Sequence, residues 1–281
     1  MITLKNENLE VTLTTLGAEM TSIKYNNYEY LWQADKKYWG RHAPILFPIV
    51  GKLKNDECTI KDKKYNMTQH GFARDMEFGI FAQTDKSITF LLENNDETLK
   101  KYPFNFELYV KYELVENKII VKYTVVNSGN DNMFFSIGAH PAFNIEGEYK
   151  DCTIEFDNNE TQEKIFVENG LVKFTDENRL DNTNILKLTN NSFDEDAIIF
   201  KDLESSTVEL KSKGERSVKV NIAGFPYLGI WSKVGAPFIC IEPWFGIADT
   251  EEHDGNFKKK KGIIELDIGE EFNAAYSIEL I

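Results

Sequence analysis

From Phe106 to Leu114 the chain reads FELYVKYEL, and every second residue is apolar. Phe106, Leu108, Val110, Tyr112 and Leu114 fall on one face of an extended segment, and Glu107, Tyr109, Lys111 and Glu113 fall on the other. A helix would scatter this set around its axis, so the alternation predicts a half-buried antiparallel strand. Lys118 to Val126 repeats the habit after a turn at Glu116 and Asn117, which makes the two segments a predicted hairpin. Comparable strands are predicted at 8–14, 19–24, 57–61, 87–92, 132–137, 151–156, 206–211, 227–232, 238–242 and 273–281, separated by Asn, Gly and Asp clusters such as Asn127 to Asp131. Helix is scarce. The best candidate is Asp96 to Lys101, capped by Asn94, Asn95 or Asp96 and ended near Pro103. Strands at this spacing without alternating helices predict an all-β chain, a large antiparallel β-sandwich with few short helices, in one domain over 1–281. A propeller would need blade-like repetition, and none is visible.

Composition narrows the function. The chain has 281 residues, of which 42% are hydrophobic, ample for a packed core, and the 28% charged residues do not approach a disordered composition. The net charge of −14 repels a phosphate backbone, so no nucleic-acid partner is expected. A neutral small molecule is indifferent to that field, and a phosphosugar is disfavoured unless a local basic pocket exists. Cys58, Cys152 and Cys240 are three widely spaced cysteines with no CxxC, which predicts buried thiols in a reducing compartment rather than a disulfide framework or structural zinc. The N-terminal MITLKNENLEV lacks the basic-then-apolar order of a signal peptide, and no apolar run reaches membrane-spanning length. The expected setting is soluble and cytoplasmic, with no membrane partner. Lys258 to Lys261 is a run of four lysines. An anion site is one reading, and a solvated hairpin turn before the strand 263–266 is the one taken.

The chain has only four histidines, His42, His70, His140 and His253. His140 stands in FFSIGAHPAF (134–143), immediately before a proline that holds it extended at a strand end. Glu242 has the same setting in FICIEPW (238–244), where a carboxylate following an apolar strand is costly if buried alone. A Glu that leaves the sheet and faces water is the alternative for that position. His70 lies in QHGFARD (69–75), a loop rich in the paired donors and acceptors that sugar hydroxyls need. His253, in TEEHDG, reads as a solvated turn without a role, and His42 as a loop histidine. No i, i+4 histidine pair, HxH pair or Cys-His cluster is present, so no metal is expected. A phosphate-binding glycine loop and a GxSxG elbow are missing as well, which leaves acid/base work by His and Glu without a cofactor.

Four segments, in order, resemble the aldose 1-epimerase (galactose mutarotase-like) family: RHAPILFPIVG (41–51), QHGFARD (69–75), GAHPAF (138–143) and CIEPW (240–244). TLGAE (15–19) also fits the family's opening strand and turn, and the likeness is greatest to the branch of LacX-like and hexose-phosphate-epimerase-like members. The resemblance implies the galactose mutarotase-like supersandwich and interconversion of α and β anomers by ring opening and reclosure. It implies Glu242 as catalytic base, His140 as general acid and His70 as a second active-site histidine. Arg74, Arg41 and Asp196 would bind substrate, with Asp196 preferred over Asp194. The implied partner is a small sugar, namely galactose, glucose or a hexose phosphate. With ordinary pKa values Glu242 would set the acid limb of a bell-shaped pH profile and His140 the alkaline limb. The competing functions are a hexose-6-phosphate 1-epimerase and a sandwich that binds sugar without turning it over. A glycoside hydrolase ranks lower, because it would ordinarily need two carboxylates flanking the bond.

Overall fold

The computed structural model describes residues 1–281. Strands take up 53% of the chain and helices 6%, so the all-β expectation holds. The predicted hairpin is present as Phe106–Val115 and Lys118–Asn127, with Phe106 opposite Asn127 and Val115 opposite Lys118. Its alternate apolar side chains are buried, as the sequence pattern requires. Tyr112 is buried with them, and its hydroxyl donates to the Ala18 carbonyl at 2.8 Å, so the phenol carries no unmet polar group. The predicted helix is a single turn, Asp96–Leu99, with Asn95 as its cap. The Asn95 side chain accepts from the Glu97 and Thr98 amides, and Thr98 Oγ1 accepts from the Asn95 amide at 2.8 Å, a reciprocal box that stabilises an otherwise marginal turn.

Most strands join one antiparallel sheet of 15 strands; a four-stranded sheet near the N-terminus and two two-stranded ribbons complete the fold. The large sheet doubles over into a sandwich around a 65-residue apolar core. Thr153–Glu168 joins two parts of that sheet: its first residues pair with Thr207–Lys211, while Ile165 pairs with Ile199 of Ile198–Lys201. That strand continues well beyond the predicted 151–156, and its hairpin partner Leu171–Lys187 was not legible in the sequence. Both arms carry polar runs, DNNETQEK and DENRLDNTN, and their pairing has several register shifts, so no clean period survives.

The lysine run departs from its reading as a fully solvated turn. Lys258, Lys259 and Lys261 are exposed, but Lys260 is 2% exposed and donates to Asp249 Oδ1 at 2.9 Å and to the Ile247 carbonyl. Asp249 Oδ2 also accepts the Lys54 amide at 2.9 Å, and the Asp249 amide donates to the Lys52 carbonyl at 2.9 Å. The pair therefore ties three segments together. His253 is half-buried beside this carboxylate rather than solvated: its Nδ1 lies 3.6 Å from Asp249 Oδ2 and accepts the Gly255 amide at 2.9 Å.

Candidate active site

The strand Phe238–Phe245 runs through the interior with almost every residue buried. On one side it pairs with Tyr227–Trp231. On the other it meets a strand that Pro141 splits into Ile137–Ala139 and Ala142–Asn144. Gly138 opposes Trp244 and Ala142 opposes Cys240, so one register continues across the gap. That register sets His140, two residues past Gly138, opposite Glu242, two residues before Trp244. The separation of 102 positions is closed by strand pairing, and cross-strand partners present their side chains on one face. Prolines after both residues remove amides that would otherwise complete the ladder there.

The result is a close acid/base pair at the wall of a cleft of about 740 Å³. His140 Nε2 lies 3.2 Å from Glu242 Oε2. The contact is not aligned as a hydrogen bond: Glu242 Oε2 and His140 Nδ1 are both buried without a partner. Glu242 is 1% exposed and His140 7% exposed. Burial pushes the Glu242 carboxyl well above the usual carboxylate range, the Asp196 carboxylate adds to that push, and the Trp244 indole N–H opposes it. Burial pulls His140 down to about 3, with the Arg74 guanidinium acting in the same direction. Burial therefore acts against charge on both groups and favours the pair as neutral imidazole and neutral carboxyl. Both shifts run opposite to those that attraction between the charged forms would produce.

Backbone geometry holds His70. It adopts φ +69°, its amide donates to the Gly51 carbonyl at 2.9 Å, and its Nδ1 accepts the Gly51 amide at 3.1 Å. An accepting Nδ1 leaves the ring proton on Nε2, so His70 is a neutral donor. Burial lowers its pKa well below 6.5, and His140 when protonated and the Arg74 and Arg41 charges act the same way. The His70 and His140 rings meet edge to face at 5.7 Å. Gly51 is held there because a Cβ on it would come within 2.5–2.6 Å of Ala248, a cleft-lining residue.

The cleft is walled by aromatic rings. Trp39 stacks on His140 at 4.9 Å and 25°, and Trp231 meets the same imidazole edge-on at 5.5 Å. The Trp244 indole fits only because its neighbours are glycines: a Cβ on Gly138 would strike it at 2.5 Å and one on Gly229 at 2.4 Å.

The aldose 1-epimerase family model matches residues 1–265. The chain belongs to the aldose 1-epimerase family. It is 40% identical over 276 residues to the LacX protein of Lactococcus lactis subsp. lactis, covering 92% of each chain. A crystal structure of a galactose mutarotase related enzyme from Lactobacillus acidophilus is 38% identical, with TM-score 0.95 over 100% of this chain and 97% of that one. A galactose mutarotase-like protein from Lactobacillus casei is 35% identical, with TM-score 0.93 over the full length of both chains. Membership supports a sugar-binding carbohydrate epimerase and agrees with the sandwich architecture.

Of the six residues that the family resemblance assigned, five line one cleft: Glu242, His140, His70, Arg74 and Asp196. Arg41 is not among the lining residues; its Nη2 pairs with Asp75 Oδ1 at 2.8 Å. Arg74 Nη2 donates to the Gln69 carbonyl at 2.6 Å, its Nε is buried and unpartnered, and burial with the nearby Arg41 charge lowers its pKa to about 10. Asp196, at φ +78°, is close enough for its charge to act on Glu242. Asp194 also lines the cleft, but its Oδ2 accepts from Asn191 at 2.6 Å within its own turn. Sequence reasoning gave no role to Trp39, Trp231 or Trp244. The signal available was scarcity: the chain has four tryptophans, and these three face the cleft.

Proposed function

We propose that this chain is a mutarotase acting on a free hexose, interconverting its α and β anomers by acid/base ring opening and reclosure. The observation that carries the reading is the 3.2 Å approach of His140 Nε2 to Glu242 Oε2 at the wall of a sugar-sized cleft. In ring opening the Glu242 carboxylate takes the O1 proton, the O1–H electrons form the C1 carbonyl, and the C1–O5 bond breaks with its pair going to O5. His140 supplies the proton to O5. Rotation about C1–C2 presents the other face, and the same steps run backwards to close the opposite anomer. Nothing is consumed, so no cofactor is required.

Burial favours the pair as neutral carboxyl and neutral imidazole, which together hold the one proton this cycle needs. Moving it from Glu242 to His140 generates carboxylate and imidazolium without exchange with solvent. His70 Nε2 lies 3.2 Å from the Gln69 side-chain amide, and with its proton on that nitrogen it donates to a sugar oxygen that takes the amide's place. Arg74 offers donors and Asp196 an acceptor to hydroxyls, and Trp39 and Trp231 provide flat apolar walls for the ring. A protein that only bound sugar would gain nothing from a buried carboxyl with an unmet oxygen, which supports turnover over binding alone.

A hexose 6-phosphate is the second reading, and the charges do not favour it. Glu168, Asp194, Glu195 and Asp196 line the cleft against Arg74 and Lys233. Arg41 is already neutralised by Asp75, so a dianion meets no free basic cluster. A single domain over 1–281 is supported by the continuous 65-residue core, and a reducing cytoplasm by three unpaired buried thiols. Polarimetry on fresh α-galactose, α-glucose and glucose 6-phosphate tests the assignment. The expected result is rapid equilibration of a free aldose, insensitive to salt. Faster turnover of the phosphate ester, weakened by salt, would replace this substrate class, and no acceleration with any sugar would overturn the reading.

A further inference from the structure

Cys240, Glu242 and Trp244 occupy alternate positions of one strand, so their side chains leave the same face. His140 reaches that face from the neighbouring strand. A His140 ring nitrogen, the Cys240 sulfur and a Glu242 carboxylate oxygen all lie within 4.8 Å of one another, and all three residues are buried. The sequence carries no sign of this cluster, because the histidine and the cysteine are brought together only by strand pairing. Glu242 Oε2 is buried without a hydrogen-bond partner, which leaves a ligand lone pair open. Its 3.2 Å separation from His140 Nε2 is close to the roughly 3.4 Å edge of a tetrahedron with bonds of about 2.0–2.1 Å.

We propose that His140, Cys240 and Glu242 form a capture site for a thiophilic divalent cation of the zinc or cadmium class, whose occupancy stops the sugar reaction. Imidazole, thiolate and carboxylate together suit such a cation, while magnesium prefers an all-oxygen shell. The fourth position opens to the cleft that His140 and Glu242 line. Cys240 packs in a small apolar cluster with Trp32, Ala142, Ala236 and Phe238, and its sulfur closes the tetrahedron by a shift on the order of 1 Å. Capture needs the thiolate and the carboxylate, so it displaces protons from the site and strengthens as pH rises. The cation then holds both groups that the proposed mutarotation uses. The inhibitory half rests on that reading; the capture half does not.

Titration of the purified protein with Cd²⁺, following thiolate-to-cadmium ultraviolet absorption and proton release, separates the two halves. Polarimetry with added Zn²⁺ or Mg²⁺ runs beside it. The expected result is saturation at about one Cd²⁺ per chain, accompanied by proton release. Zn²⁺ should inhibit and Mg²⁺ should not. Cys240→Ala should keep its basal rate, lose the absorption band and need at least about tenfold more Zn²⁺ for half inhibition. Cys58→Ala and Cys152→Ala should keep the band, and Cys240→Ser replaces Cys240→Ala if the latter does not fold. A band that survives the Cys240 substitution, or unchanged Zn²⁺ sensitivity in that variant, overturns the proposal. A Cys240-dependent band in a protein without mutarotation supports capture and counts against the sugar reading instead.

Discussion

Glu242→Gln should stabilise this protein, and by an amount that grows with pH. The carboxyl is 1% exposed, and one of its oxygens has no hydrogen-bond partner. Its folded pKa is raised above the unfolded value, so its contribution to stability is complete below the ordinary carboxyl pKa and is lost as pH rises through the folded value. Over that interval wild type loses about 1.4 kcal/mol per pH unit from this group. The glutamine has no proton to lose and keeps the volume. The variant's advantage should therefore be almost nothing near pH 4 and grow by about 1.4 kcal/mol for each pH unit up to the folded pKa. For a chain of this size about 2 °C accompanies each kcal/mol, so the variant's Tm advantage should widen by about 3 °C per pH unit over that interval. Thermal unfolding followed by circular dichroism across that range provides the comparison. A difference independent of pH, or a variant less stable than wild type near pH 8, would refute the claim that burial holds this carboxyl protonated.

Gly51→Ala should cost about 2–5 kcal/mol in urea unfolding, because it combines φ +72° with a Cβ 2.5–2.6 Å from Ala248. It should also release the His70 tautomer, visible in ¹⁵N NMR of the imidazole; an unchanged ring signal would mean the Gly51 amide does not set it. Lys260→Met removes the buried cation that balances Asp249 and should cost about 3–5 kcal/mol, with much of the loss recovered in Asp249→Asn/Lys260→Met. A loss below about 1 kcal/mol would be that of an exposed lysine and would contradict the buried pair.

The fold was legible where one face of a strand is buried and the other wet. Phe106–Val115 and Lys118–Asn127 were found nearly to the residue because alternation records that asymmetry directly. Leu171–Lys187 escaped because its register slips against Thr153–Glu168 and its polar run exposes both faces. Individual burial was harder still: nothing in KKKK tells Lys260 from its neighbours, since its partner Asp249 is set by tertiary packing. At the site, the prolines after His140 and Glu242 pointed to two fixed side chains, and the family likeness gave them roles. Their protonation was not legible. It depends on how completely the sandwich removes water around them, and that reverses the order ordinary pKa values imply. The tryptophan walls and the Cys240 neighbourhood likewise exist only once Phe238–Phe245 is flanked by its partners.

Polarimetric mutarotation by Glu242→Gln tests the proton-transfer pair most directly. Gln keeps the shape and hydrogen-bonding capacity of Glu242 but cannot take the O1 proton. With α-galactose or α-glucose in excess, the catalysed rate should fall at least about a hundredfold while the variant remains folded and binds sugar. Near-normal mutarotation by that folded variant would contradict the assignment and move the catalytic base elsewhere in the cleft.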